Sequence, residues 1–155
     1  MPAKRLKDLL DERGVKYVLI SHSRAFTAQE IAASAHVPGK EMAKTVVLKV
    51  NGEMALAVLP ASQRVVLGLL KEMIDARRVE LCSEDEFSDV FPECEVGAMP
   101  PFGNLFSMKT YVADSLAEND WMAFNAGSHT ELMGLAFDDF KEIVQPEIVE
   151  FTAMV

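Results

Sequence analysis

Cysteine is scarce in this chain: Cys82 and Cys94 are the only two, with no CxxC spacing and no histidine nearby. That excludes a disulfide scaffold and a zinc-ligand pattern, and predicts reduced thiols and a cytoplasmic protein. Basic residues are also in deficit, with 15 Lys and Arg against 24 Asp and Glu and a net charge of −9. A surface of that sign repels long nucleic acid, so DNA is excluded as a partner; a local cationic pocket can still hold a single-stranded terminus. The longest apolar run, Met54 to Ala61, is too short to cross a bilayer, and Met1 to Asp8 carry charge where a signal peptide needs its apolar segment. No membrane partner or secretion leader is expected. G-x-S-x-G, H-E-x-x-H, repeats and low-complexity tracts are all missing, so a serine-elbow enzyme and a zinc hydrolase lack support. Gly39-Lys40 fails as a phosphate loop, because Glu41 follows and Ser34 stands where the first glycine is required. Neither a metal nor a cofactor is expected.

The chain has 155 residues, 50% of them hydrophobic, enough for one domain over 1–155 with a core of its own. Leu6, Leu9 and Leu10 predict a surface helix over 3–13, stopped by Gly14, before a strand at 17–20. Thr27-Ala28-Gln29-Glu30 is a capping-box pattern opening a second helix with Ile31, Ala32 and Ala35 inward. Alternation predicts a strand over 44–50, Asn51-Gly52 a two-residue hairpin turn, and 53–59 the returning strand. Ser62 reads as the cap of a helix burying Val65, Val66, Leu69, Leu70 and Met73. A strand is expected near 79–82, then a capping box at Ser83 opening a helix that turns Phe87, Val90 and Phe91 inward and stops at Pro92. Strands at 110–113 and 121–125 are separated by an acidic connection; 125–129 reads as a turn. A last helix at 138–144 buries Phe140, Ile143 and Val144, with a loosely attached tail beyond Pro146. The mixture is an α+β domain whose sheet is not wholly parallel.

Two features stand out chemically. Gly97-Ala98-Met99-Pro100-Pro101-Phe102-Gly103 is stiff in the middle and free at both ends, the makings of a fixed loop presenting main-chain dipoles to a small group. Its simpler reading is a rigid turn between strands. Lys44 falls by parity on the apolar face with Val46, Leu48 and Val50, whereas Lys49 is on the mixed face. An ammonium at the edge of an apolar face either finds an anion or wet cavity, or snorkels past the strand end. A lysine, a glycine-proline loop and a glycine turn carrying His129 suit hydrolysis of an activated ester, where orienting water and stabilising an oxyanion suffice. Cys94 as a nucleophile is disfavoured against a small apolar loop residue.

Phe26-Thr27-Ala28-Gln29-Glu30, Ala43-Lys44-Thr45-Val46-Val47, Val96 to Gly103 and Phe124-Asn125-Ala126-Gly127-Ser128-His129, in that order, resemble the YbaK/ProX family of aminoacyl-tRNA deacylases, related to the editing insertion of bacterial prolyl-tRNA synthetase. The resemblance implies a single α+β editing domain with a mixed, largely antiparallel sheet flanked by helices. It also implies trans-editing: hydrolysis of the ester of a mischarged small amino acid, alanine, cysteine or similar, at a tRNA 3′ end. The partners implied are the aminoacyl-tRNA 3′ end and an aminoacyl-tRNA synthetase. By carry-over Lys44, Gly97 and His129 are the catalytic candidates, with Gly97 and Ala98 amides toward the ester carbonyl. Phe26, Thr27, Ala98, Met99, Pro101, Phe102, Asp114, Asn125 and Gly127 are the substrate-binding candidates. Asp114 also reads as a turn former, His129 as a turn-closing residue, and the wall residues as ordinary packing. A non-catalytic module binding an aminoacyl or nucleotide end and docking to a synthetase is the alternative.

Overall fold

The computed structural model describes residues 4–22, 28–91, 94–95 and 97–155; Phe26, the Thr27 cap, the Pro92 stop and Val96 lie outside the described residues. Helix α1 (Lys4–Glu12) sets Leu6 and Leu10 one turn apart, and both are fully buried. Strand β1 (Tyr17–Ser21) follows, then α2 (Ala28–Ala35), whose Ala32 joins Met42, Ala123 and Leu132 in an apolar cluster. Strands β2 (Ala43–Val50) and β3 (Glu53–Pro60) form the expected hairpin. Its turn has φ +51° at Asn51 and +85° at Gly52, the two positive angles of a type I′ turn. The Asn51 side chain holds the next corner too, accepting the backbone N–H groups of Arg77 and Arg78.

After β3 come β4 (Gln63–Val65), α3 (Leu67–Met73), β5 (Val79–Leu81) and α4 (Glu84–Phe87). Ser83 and Glu86 make the reciprocal capping box at the start of α4. Ser62 does not cap a helix: 63–65 stays extended because a C-terminal strand pairs with it, and α3 begins only after Val66, with no side-chain cap. Met73, expected inside, is exposed.

The remaining elements are β6 (Lys109–Ala113), α5 (Asp114–Ala117), β7 (Trp121–Ser128), β8 (Glu131–Ala136), α6 (Phe137–Val144), β9 (Glu147–Val149) and β10 (Thr152–Met154). The acidic connection after β6 is thus a short helix. The tail is not loose: β9 pairs with β6, β10 with β4, and Phe151 between them is fully buried, its carbonyl accepting the Val66 N–H at 2.7 Å.

The main sheet has five strands in the order β5-β2-β3-β6-β9, with β2 antiparallel to β3 and β5, and β6 parallel to β3 and β9. A second, antiparallel sheet has the order β1-β8-β7, and β10-β4 is a separate pair. The α+β class holds, with the pairings mostly antiparallel but divided among sheets. Between the sheets the Phe102 ring lies 5.4 Å from that of Phe124 and 5.2 Å from that of Phe140. Phe102 can sit so deep because Gly103 follows it: a Cβ there would come within 2.2 Å of Thr110 Oγ1.

Candidate functional site

The candidate site lies where two strands from different sheets part. β2 and β7 meet through one parallel bridge, Met42↔Ala123, with the Ala123 N–H donating to Glu41. Pairing between them stops there. Lys44 and Asn125, each two residues beyond the bridge, therefore stand on opposite sides of the opening. At the far end Glu95 N–H donates to the Gly127 carbonyl at 2.8 Å and Gly127 N–H to the Ala98 carbonyl at 3.0 Å.

This second attachment explains why 125–129 is not the turn expected. Asn125 to Ser128 continue β7 through an irregularity in its pairing with β8, with Gly127 at φ +93°, and the turn itself is at His129 and Thr130. A strand edge with carbonyl and amide partners on 95–98 has no reason to curl. Those partners are about thirty residues away in the chain, too distant for a local pattern to reveal.

Lys44 is half-buried, opposite the fully buried Leu59. Burial pushes the ammonium below its ordinary pKa of 10.5, and no carboxylate among the described residues pairs with it. Lys49, five residues on, is ion-paired with Glu86. Both faces of β2 pack against apolar clusters, Val47 on the Lys49 face being buried and Val46 and Val50 on the Lys44 face only partly so. The lysines differ in that Lys49 has an acidic partner and Lys44 has none among the described residues.

Gly97 has φ +85°, in the region that favours glycine. A Cβ on Gly97 would lie 3.6 Å from Cε1 of His129. His129 is 5% exposed; its N–H donates to Glu95 Oε2 at 3.4 Å, and its Nε2 is 3.9 Å from the same carboxylate oxygen. Glu95 is the neighbour of His129 that sequence reading missed. Its only signal was a carboxylate two positions before Gly97.

Other candidates are placed differently. The Ala98 N–H is used within the loop, donating to the Glu95 carbonyl at 3.0 Å, so it cannot point at an ester without breaking that turn. Gly97 keeps its N–H without an intramolecular partner among the described residues. Met99, Pro101 and Phe102 are buried: Met99 belongs to a cluster with Val47 and Phe91, and Phe102 to the aromatic core. Asp114 is exposed at the start of α5, its Oδ1 accepting the Ser115 N–H at 2.9 Å, the turn-forming arrangement. Asn125 is buried, and its side-chain oxygen has no hydrogen-bond partner among the described residues.

No group of three metal-binding side chains occurs among the described residues. Surface cavities of ≈ 810, ≈ 540 and ≈ 660 Å³ lie elsewhere, along 50–55 and 106–111, along 107–111 and 144–147, and between 13–16 and 139–143. No helix among the described residues is long and apolar enough to cross a membrane.

The profile of the family described as the aminoacyl-tRNA editing domain matches residues 22–143, a span containing every element of the gap. The Multifunctional Ser/Thr-tRNA deacylase ProXp-y of Escherichia coli K12 is 31% identical over 153 residues, covering 96% of this chain and 91% of that protein. A crystal structure of a hypothetical protein superposes with a TM-score of 0.85 at 20% identity, covering 97% of this chain and 100% of the other. Another, of a candidate trans-editing enzyme for prolyl-tRNA synthetase, does so at 0.81 and 18%, covering 97% and 96%. These two likenesses concern the fold.

Proposed function

The chain belongs to the aminoacyl-tRNA editing domain family, and from that premise we propose that it is a trans-editing deacylase whose reaction takes place in the gap between β2 and β7. The observations that support this reading are the close approach of Gly97 and His129 and, on β2, a partly desolvated Lys44 with no carboxylate partner among the described residues. The 3′ end of a tRNA brings a phosphate and a ribose to the Lys44 ammonium, which fixes the ester in the gap. The Gly97 N–H, held by its positive φ, is the donor for the ester carbonyl oxygen as it becomes an oxyanion.

Water then adds to the carbonyl carbon, giving a tetrahedral intermediate. Its collapse breaks the bond to the ribose oxygen, which leaves as the terminal hydroxyl after taking up a proton, and releases the free amino acid. No covalent enzyme intermediate is required, which fits the lack of an elbow serine. His129, backed by Glu95, orients the substrate or its water from the far side of Gly97.

The amino acid is small. Alanine and cysteine follow from the resemblance to editing of prolyl-tRNA, and serine and threonine from the name of the Escherichia coli relative. With a net charge of −9 the protein grips the aminoacyl end rather than the tRNA body, and a synthetase partner supplies tRNA identity.

Single-turnover deacylation of alanyl-, cysteinyl-, seryl- and threonyl-esters on one tRNA, with free amino acid released, tests the reading. Acceleration of at least one ester well above spontaneous hydrolysis supports it. A protein that binds the 3′ end and accelerates none is a binding module instead.

A further inference from the structure

The reaction scheme leaves one buried polar group in the gap without a task. Asn125 is 8% exposed, and its side-chain oxygen has no partner among the described residues. A buried amide oxygen is ordinarily satisfied, and an exception inside a cleft marks a group kept for something that enters it. Asn125 is midway along the part of β7 that frames the opening: Ala123 is pinned to Glu41 and Met42, Gly127 to 95–98. Side-chain alternation puts Ala123 and Asn125 on one face, where Ala123 packs with Met42 and Leu132, and Met122, Phe124 and Ala126 on the other. Ala123 has only a methyl group, so Asn125 supplies the polar side chain on that face of β7.

We propose that Asn125 reads the side-chain hydroxyl of the bound amino acid, making the site selective for seryl and threonyl esters over alanyl and cysteinyl ones. This rests on the editing reading. A hydroxyl both donates and accepts, so it satisfies the amide whichever of its two ends faces the gap. Alanine offers nothing there, and cysteine only a weak donor. A site that must hydrogen-bond a hydroxyl rejects an analogue lacking it, because the buried group is then left unpaired. The selectivity accordingly resides in β7, and the catalytic parts, Lys44 and Gly97, act on the ester common to all substrates.

The competing partner for the amide is the α-ammonium, which every aminoacyl ester carries. Single-turnover rates for seryl, threonyl, alanyl and cysteinyl esters on one tRNA, with wild type and Asn125→Ala, separate the two. The wild type should favour seryl over alanyl ester by about tenfold or more, and Asn125→Ala should bring that ratio to within about threefold of unity. Equal slowing of both esters, with the ratio kept, assigns Asn125 to the α-ammonium and overturns the proposal. Should Asn125→Ala not fold, binding of the non-hydrolysable 3′-amide analogues of seryl- and alanyl-adenosine to the wild type gives the same answer. A preference for the seryl analogue of about tenfold supports hydroxyl readout, and equal affinity overturns it. A wild type that hydrolyses none of the four esters removes the editing reading itself, a result distinct from hydrolysis without preference.

Discussion

The Gly97 α-carbon faces the edge of the His129 imidazole, so close that a methyl group added to the glycine would stand 3.6 Å from Cε1. That distance is an ordinary contact; what forbids a side chain is the backbone, with φ at +85°. Gly97→Ala strains the loop by about 1–2 kcal/mol, and the loop relieves it by turning the Gly97 amide. We expect the protein to fold with a slightly lowered melting temperature and deacylation to fall about a hundredfold, as for loss of one oxyanion donor. Melting and single-turnover rate, measured on the same preparation, check this.

Lys44 gives a pH prediction with a definite sign. Burial lowers its pKa from 10.5, so between the lowered value and 10.5 the unfolded chain binds more protons than the folded one. Stability from this group therefore rises with pH through that window, and below it the buried charge is a standing cost. Lys44→Met should raise the melting temperature at neutral pH while slowing deacylation. The enzyme-dependent rate of the wild type should begin to fall below pH 10.5 as the ammonium is lost, and this limb should be missing from the Met variant.

Phe102 and Phe151 are both fully buried, and each should cost about 3–5 kcal/mol when changed to alanine. Urea unfolding measures the loss. Because Phe102 packs against Phe124 and Phe140 rather than lining the gap, its replacement should leave the ranking of amino acids unchanged in whatever protein remains folded. Removing 147–155 takes away Phe151 and two strands and should abolish folding.

A protein of net charge −9 that holds only a 3′ terminus releases few counterions. With about two phosphate contacts, affinity should change less than about tenfold between about 50 and about 200 mM salt. Titration of KM against salt gives the slope. Strong discrimination among tRNA bodies carrying the same amino acid would contradict recognition through the aminoacyl end.

What could be read from the chain was what depends on neighbours in sequence. Asn51-Gly52 and the Ser83 box are complete within four residues, and parity alone distinguished Lys44 from Lys49. Contacts formed across the chain stayed hidden. β9 and β10 have three residues each, too few for alternation to register, and they exist because β6 and β4 offer edges. Asn125 to Ser128 look like a glycine turn in the sequence, and the bonds of Gly127 to Glu95 and Ala98 hold them extended. The same pairing explains Glu95, whose role depends on a histidine 34 positions away. Ala98 shows the converse: a local motif suggested a free amide, and a turn inside that motif uses it.

Ester hydrolysis at Lys44 is the step on which the proposed function depends. The most direct test is the single-turnover rate of Lys44→Ala against wild type on the most rapidly cleaved ester, with thermal unfolding followed on the same samples. The expected rate is about a hundredfold lower, a loss of about 3 kcal/mol of transition-state stabilisation, in a protein that melts no earlier than wild type. Equal rates in the two proteins would contradict it.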